Sequence, residues 1–154
     1  EIGSKDMSKL IREIFQKEQR KYSVDRTQTI RATIEFMRDA DVGAVVVMDG
    51  TNVVGIFSER DLLKRVVLEG VDMATAPVEE VMSSPAFWID IDERCELAKA
   101  MMVAKGVRHL VLKDKKGQFL GVISSRKLLE ADLADSQELI SKLNDEYYAP
   151  NFRP

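Results

Sequence analysis

A nine-residue phrase occurs twice in the chain, and this internal repeat constrains the fold more than any other feature of the sequence. The first copy is GIFSERDLL at residues 55–63, and the second is GVISSRKLL at residues 121–129. The offset is 66 residues there and 65 residues between Val42 and Val107, so the one-residue difference falls in a hairpin turn, where insertions are tolerated. A repeat of this size buries little surface alone, so two repeats are expected to share one core.

Both copies contain the same order of predicted elements, β-α-β-β-α. Each begins with a short extended piece, continues with a helix that precedes a β-branched strand, and returns through a tight turn to a second strand and a helix. The predicted ranges are 21–24, 29–40, 43–50, 52–58 and 59–70 in the first copy, and 84–91, 93–106, two strands within 108–124 and one long helix over 125–148 in the second; a further helix over 8–19 precedes them.

The sequence therefore predicts an α+β fold of two repeats that pack sheet to sheet with pseudo-two-fold symmetry. Residues 1–6 show no periodicity and are expected to be a vector-derived remnant or disordered. The predicted boundaries are 7–71 for the first repeat with its N-terminal helix, 72–82 for a linker, 83–147 for the second repeat and 148–154 for a tail.

Composition narrows the functional classes. Of the 154 residues, 45% are hydrophobic and 32% are charged, and the net charge of −3 argues against a nucleic-acid surface or an anionic membrane surface as partner. There is no apolar run of membrane-spanning length, so no membrane partner is expected. The single cysteine, Cys95, excludes an internal disulfide, so we expect a cytoplasmic protein with an inert, buried thiol. With one histidine and one cysteine, no metal site is expected within one chain.

The repeated phrase has a structural interpretation that needs no ligand. Ser58 and Asp61 have the spacing of a capping box, in which each side chain bonds the other residue's backbone N–H at the start of a helix. In the second copy Lys127 stands three residues after Ser124, at the position of Asp61. Lysine cannot accept a hydrogen bond, so the second capping box is incomplete.

A functional interpretation starts from the arginines of the same phrase. Arg60 and Arg126 lie in the first helical turn of each copy, where a cation faces the positive end of the helix dipole. A bound anion would relieve this unfavourable placement, so the pattern indicates phosphate-facing helix starts.

The repeated unit resembles a cystathionine-β-synthase (CBS) domain, and two units in tandem resemble a CBS pair, or Bateman module. The segments that carry the resemblance are VGIFSERDLL, PVEEVM, GVRHLVL and LGVISSRKLL, which recur in order over nearly the whole chain from about Met7. Because the sequence contains little else, the resemblance implies a free-standing CBS-pair protein without a catalytic or membrane domain.

The resemblance implies that an adenine nucleotide binds in a cleft between the copies. By analogy with the family motif, Asp61 would accept hydrogen bonds from the ribose hydroxyls, and Ser58 would lie near a phosphate or sugar oxygen. Ile56 would flank the base. The second copy would supply cations across the cleft, namely Arg108, His109 and Arg126. Arg60 and Ser124 of the two phrases complete the predicted ligand-binding residues.

The second copy departs from the family pattern at Lys127, because lysine has no acceptor for ribose hydroxyls. We therefore expect one good nucleotide site. Phe87 and its counterpart Tyr22 lie in the extended pieces that line the adenine pocket in CBS pairs, so each is either a core residue or a stacking surface for the base. His109 is likewise either structural or a ligand that responds to pH near neutrality.

The sequence and the family resemblance leave three functions to compare: a regulatory module that senses AMP, ATP or NAD(H), a ligand-free interaction scaffold, and an enzyme. The sequence shows no nucleophile–base pair, metal cluster or glycine-rich phosphate loop, so we expect no enzyme and no metal requirement. The nucleotide module is the favoured hypothesis, with an unknown target protein. The apolar faces of the predicted helices exceed what so small a core can bury, which predicts a homodimer.

Overall fold

The computed structural model describes residues 9–15 and 22–146. Residues 1–6, residues 8 and 16–19 of the predicted helix over 8–19, and the predicted tail 148–154 lie outside the described residues. The prediction of one continuous helix over 8–19 was wrong within the described residues. The helix there is a single turn, α1 at Ile11–Ile14, and Leu10 before it and Phe15 after it have extended backbones, Phe15 with φ −80° and ψ 113°.

The first repeat follows the predicted order of elements. Its helices begin where the sequence provides caps: the Thr29 side chain accepts from the Ala32 N–H at 3.2 Å, and Ser58 caps the helix that follows the second strand. The bounds are β1 Ser23–Asp25, α2 Ile30–Ala40, β2 Ala44–Asp49, β3 Asn52–Ser58 and α3 Glu59–Asp61, which continues as a π-helix over Leu62–Val67.

The second repeat has the same order but a different ending. Its elements are β4 Trp88–Asp90, α4 Cys95–Lys105, β5 His109–Lys113, β6 Phe119–Ser124, α5 Ser125–Asp132, a 3₁₀ turn Ala134–Ser136 and α6 Gln137–Glu146. The prediction of one continuous helix over 125–148 was wrong. Leu133 leaves helical geometry at φ −97° and ψ 6°, next to aspartate and serine residues, which favour turns over helix interiors.

Two three-stranded sheets form the centre of the molecule. In each sheet the middle strand pairs in parallel with the strand before it and antiparallel with the strand after it, so the orders are β1-β2-β3 and β4-β5-β6. Val46 of β2 and Val111 of β5 are buried together with Phe119 in one cluster that joins the sheets. The predicted α+β fold of two repeats packed sheet to sheet is confirmed.

Each repeat is completed by a short helical segment that precedes the other repeat in the chain. Ile11 of α1 is buried in the core of the second repeat, whereas Val78 and Val81 are buried in the core of the first. Backbone hydrogen bonds attach each segment to the repeat that it completes: Ile11 N–H donates to Glu93 O at 2.9 Å in the second repeat, and Val78 N–H donates to Gln28 O at 2.8 Å in the first. We call residues 78–83 the crossing segment, and it includes the 3₁₀ helix Val78–Glu80.

The glycine of the repeated phrase is required by this exchange. A Cβ atom at Gly55 would lie 2.5 Å from the Met82 sulfur and 2.8 Å from the Ser83 carbonyl oxygen. At Gly121 it would lie 2.7 Å from the ring of Phe15, which follows α1. Each glycine thus provides room for the segment that completes its own repeat.

Candidate functional site

The predicted site residues of the first repeat lie in one cleft between the repeats, which we call the Asp61 cleft. One wall is formed by the end of β3 and the start of α3, the opposite wall by the turn before β5, and the floor by the end of the crossing segment and the residues after it. Its lining residues are Gly43, Ile56, Ser58, Glu59, Arg60, Asp61, Ser83, Pro85, Ala86, Phe87, Gly106, Val107, Arg108 and His109.

The capping box at the start of α3 is complete. The Asp61 N–H donates to Ser58 Oγ at 3.4 Å, and Asp61 Oδ2 accepts from the Ser58 N–H at 3.0 Å and from Ser58 Oγ at 3.1 Å. Both residues line the cleft, so the cap and the predicted ligand site involve the same side chains. The structural interpretation of the phrase is therefore correct for Ser58 and Asp61.

Asp61 is 5% exposed and has two further neighbours. Its Oδ1 accepts from Ser83 Oγ at 2.7 Å, and Arg65 Nε lies 3.5 Å from the same oxygen. Arg65 also donates from its Nη1 to Met82 O at 2.8 Å. The Asp61 carboxylate thus joins α3 to the crossing segment as well as capping the helix.

The positive charges in the cleft come from Arg60 and Arg108, one from each repeat. Within residues 9–15 and 22–146, neither guanidinium group forms a hydrogen bond or an ion pair with another side chain. Unpaired arginines in a cleft beside a helix start are suited to bind a phosphate group.

His109 and Phe87 form the less polar part of the lining. Burial lowers the pKa of His109, and the adjacent charge of Arg108 lowers it further, so the imidazole is neutral at neutral pH. Phe87 is partly buried, and the ammonium group of Lys105 lies 5.4 Å from its ring centroid. The partly exposed ring gives the cleft an aromatic surface.

The structure does not bring Ser124 and Arg126 to the Asp61 cleft. They line a second cleft with Tyr22 and Lys127, and Arg108 and His109 lie between the two clefts and line both. The prediction that Arg126 supplies charge across the Asp61 cleft is corrected: its Nε bonds Glu130 at 3.1 Å within α5. The pseudo-symmetry of the fold places each Ser-x-x-Asp/Lys phrase at its own cleft.

The start of α5 has half of a capping box. Ser124 Oγ accepts from the Lys127 N–H at 3.1 Å, and among the described residues no side chain returns a bond to the Ser124 N–H. The second cleft is therefore lined by a lysine where the first is lined by a buried carboxylate.

Sequence reasoning missed Ser83, the one hydroxyl of the crossing segment that bonds Asp61. The signal was present, because Ser83 directly follows the PVEEVM stretch that carries the family resemblance. The predicted boundaries place residues 78–82 in the linker and Ser83 at the start of the second repeat. A tertiary contact 22 positions from Asp61 has no local pattern to reveal it.

The described part of the chain contains neither a cluster of metal-ligating side chains nor an activated cysteine. No group of three or more histidine, cysteine or acidic residues is arranged to hold a metal ion there. Cys95 is 6% exposed, and burial raises the pKa of its thiol, which disfavours the reactive thiolate. Among the same residues, no helix is both long and apolar enough to cross a membrane.

The fold and the paired clefts define a tandem module of two homologous repeats, and comparison with known families identifies it. The family model of the CBS domain matches residues 11–68 and again residues 78–134. Because the two matches cover well over half of the chain, the chain belongs to the CBS domain family and is a tandem CBS module.

Relatives and solved structures agree with this assignment. An uncharacterized protein of Methanopyrus kandleri is 29% identical over 124 residues, which are 78% of this chain and 63% of that protein. This chain thus spans less than two thirds of that relative's length.

Two solved structures show the same fold. A putative signal-transduction protein with CBS domains from Burkholderia ambifaria is 29% identical with a TM-score of 0.76, and the match covers 82% of this chain and 93% of that one. The CBS domain protein PAE2072 from Pyrobaculum aerophilum, solved in complex with AMP, is 26% identical with a TM-score of 0.72, covering 84% and 99%.

Proposed function

We propose that this tandem CBS module binds an adenosine-containing nucleotide, AMP, ATP or NAD(H), in the Asp61 cleft and signals occupancy by a change of conformation or assembly. The observation that carries the proposal is the convergence in one cleft of a buried carboxylate, a partly exposed aromatic ring and two arginines from different repeats, which have no side-chain partner among the described residues. A carboxylate is suited to a ribose diol, arginines to phosphate, and an aromatic ring to a base.

The AMP complex of the Pyrobaculum relative supports the choice of ligand class, because that protein matches this chain over most of its length. Among the assigned residues, Asp61 would contact the ribose and Ser58 a phosphate or sugar oxygen, and Ile56 and Phe87 would flank the base. Arg60 and Arg108 would bind the phosphate, with the neutral imidazole of His109 as a hydrogen-bond donor beside them. In this proposal the chain is not an enzyme, requires no metal and acts in the cytosol on a target protein yet to be identified.

A direct binding screen tests the function. We expect at least one of AMP, ATP and NADH to raise the unfolding temperature of the protein, because a ligand that binds the folded state alone stabilises it by mass action. At a concentration of 100 times Kd the gain is about 2.7 kcal/mol. Differential scanning fluorimetry provides the measurement, and guanosine counterparts provide the control. No shift with any adenine nucleotide would contradict the proposal.

One observation favours a second candidate function, a ligand-free interaction scaffold. Both oxygens of the Asp61 carboxylate already have a donor, so this carboxylate is satisfied without a ligand. A scaffold would fail the nucleotide screen and retain partner binding when Asp61 is replaced, which separates the two candidates.

We also propose a homodimer, because the helices expose large apolar side chains. Val67 after α3, Val103 on α4 and Leu129 on α5 are 58%, 84% and 57% exposed. Such side chains are typical of an interface between subunits. Multi-angle light scattering should give twice the mass of the chain at micromolar concentration, and Val67→Asp with Val103→Asp should give the monomer. A monomeric wild-type protein would contradict this expectation.

A further inference from the structure

The Asp61 carboxylate is occupied by the protein's own donors. Oδ2 accepts two hydrogen bonds from Ser58, and Oδ1 accepts one from Ser83 at 2.7 Å, with Arg65 Nε 3.5 Å away. Each carboxylate oxygen offers two lone pairs, so Oδ2 has no acceptor left and Oδ1 has one that Arg65 faces. A ribose hydroxyl that donates to Asp61 is therefore directed to Oδ1, where it meets the Ser83 hydroxyl and the Arg65 guanidinium group.

Ser83 is the donor that can leave at the lowest cost. The two Ser58 donors belong to the cap that starts α3, and their loss would uncap the helix. The Ser83 hydroxyl instead reaches Asp61 from the crossing segment, and it lines the cleft. Its backbone is held independently, because Ile56 N–H donates to Ser83 O at 2.9 Å and Ser83 N–H donates to Ile56 O at 2.8 Å. Rotation of one side chain is sufficient to free Oδ1.

We propose that Ser83 is a built-in competitor of the nucleotide, whose hydroxyl occupies the Asp61 acceptor that a ribose hydroxyl takes on binding. This inference rests on the proposed function and adds how the same site is regulated. When the ligand replaces Ser83, one of the two links between Asp61 and the crossing segment is broken, and Arg65, which also holds Met82 O, is the link that remains. With the ligand bound, the crossing segment is held by Arg65 and by the backbone bonds between Ser83 and Ile56, without the side-chain bond of Ser83 to Asp61.

Calorimetric titration of Ser83→Ala with AMP and with 2′,3′-dideoxy-AMP tests the proposal. Removal of the competing hydroxyl should tighten AMP binding about 3- to 10-fold relative to wild type, the effect of one intramolecular hydrogen bond. Dideoxy-AMP has no hydroxyl to donate to Asp61 and does not displace Ser83, so its affinity should be unchanged by the substitution.

Ser84→Ala is the matched control, because the neighbouring Ser84 hydroxyl donates to Val54 O at 3.0 Å and does not line the cleft. It should bind AMP with wild-type affinity. If Ser83→Ala does not fold, Ser83→Cys keeps the shape with a weaker donor and should show the same tightening in smaller measure.

The outcomes separate this proposal from the function on which it rests. Tighter binding of AMP alone supports Ser83 as competitor. If Ser83→Ala binds AMP with unchanged or weaker affinity, or tightens the binding of AMP and dideoxy-AMP equally, the role of Ser83 as competitor is overturned. The proposed function stands in that case, provided that the wild-type protein binds the nucleotide. Absence of AMP, ATP and NADH binding in the wild-type protein would overturn the proposed function and this inference together.

Discussion

Gly55→Val is expected to lower the free energy of unfolding by about 3 kcal/mol, the upper range for overpacking a filled site. Even a Cβ atom at Gly55 would lie 2.5 Å from the Met82 sulfur and 2.8 Å from the Ser83 carbonyl oxygen. The methionine can move aside, but the carbonyl is fixed, because it accepts from the Ile56 N–H at 2.9 Å. The added side chain must therefore push the crossing segment away from β3. Chemical denaturation with urea provides the measurement.

Gly43→Ala is the matched control for this substitution. A Cβ atom at Gly43 would meet the Glu59 carboxylate at 3.5 Å, an ordinary contact, so we expect a change within about 0.5 kcal/mol. Equal stability of the Gly55 and Gly43 variants would show that the crossing segment is not packed against β3 as described.

Asp61→Ala is expected to weaken nucleotide binding about 10- to 100-fold, the range for losing hydrogen bonds to a charged group. The same substitution removes half of the capping box and should lower the free energy of unfolding by about 1–2 kcal/mol. Asp61→Asn keeps one acceptor oxygen for the cap, and it should retain more stability than Asp61→Ala while binding the nucleotide weakly. Calorimetry and urea denaturation measure the two effects separately.

Lys127→Ala provides the comparison, because Lys127 occupies the position of Asp61 in the second repeat. Its side chain makes no capping bond to Ser124, and the cleft it lines has no buried carboxylate. We expect less than a twofold change in nucleotide affinity. Equal losses in Asp61→Ala and Lys127→Ala would contradict the asymmetry between the clefts.

The fold was predictable because its signals are local and occur twice. The hairpins, the cap at Ser58 and the element order all follow from patterns within about 12 residues. The break at Leu133 was not predicted, because the apolar period continues through it and no glycine or proline marks the end of α5. The helix breaks among Asp132, Asp135 and Ser136, which favour turns. Each of these residues disfavours a helix interior by only a small free energy, so the sequence pattern does not reveal the break.

The candidate site was predictable in part. The pairing of Asp61 and Ser58 follows from the capping spacing, and the presence of Arg108 and His109 in the same cleft was implied by the family resemblance. The sequence could not predict which of the two clefts Arg126 lines, because the symmetry of the repeats is consistent with both. Ser83 was missed because the exchange of segments between repeats is a tertiary arrangement that no local period encodes.

The central claim is that one of the two clefts is a nucleotide site and that Asp61 defines it. Titration calorimetry of the wild-type protein with AMP, or with whichever adenine nucleotide stabilises it, tests this claim most directly through the number of sites per chain. We predict one nucleotide per chain, with the heat of binding retained in Lys127→Ala and lost at the same concentrations in Asp61→Ala. Two nucleotides per chain, or undiminished binding by Asp61→Ala, would contradict it.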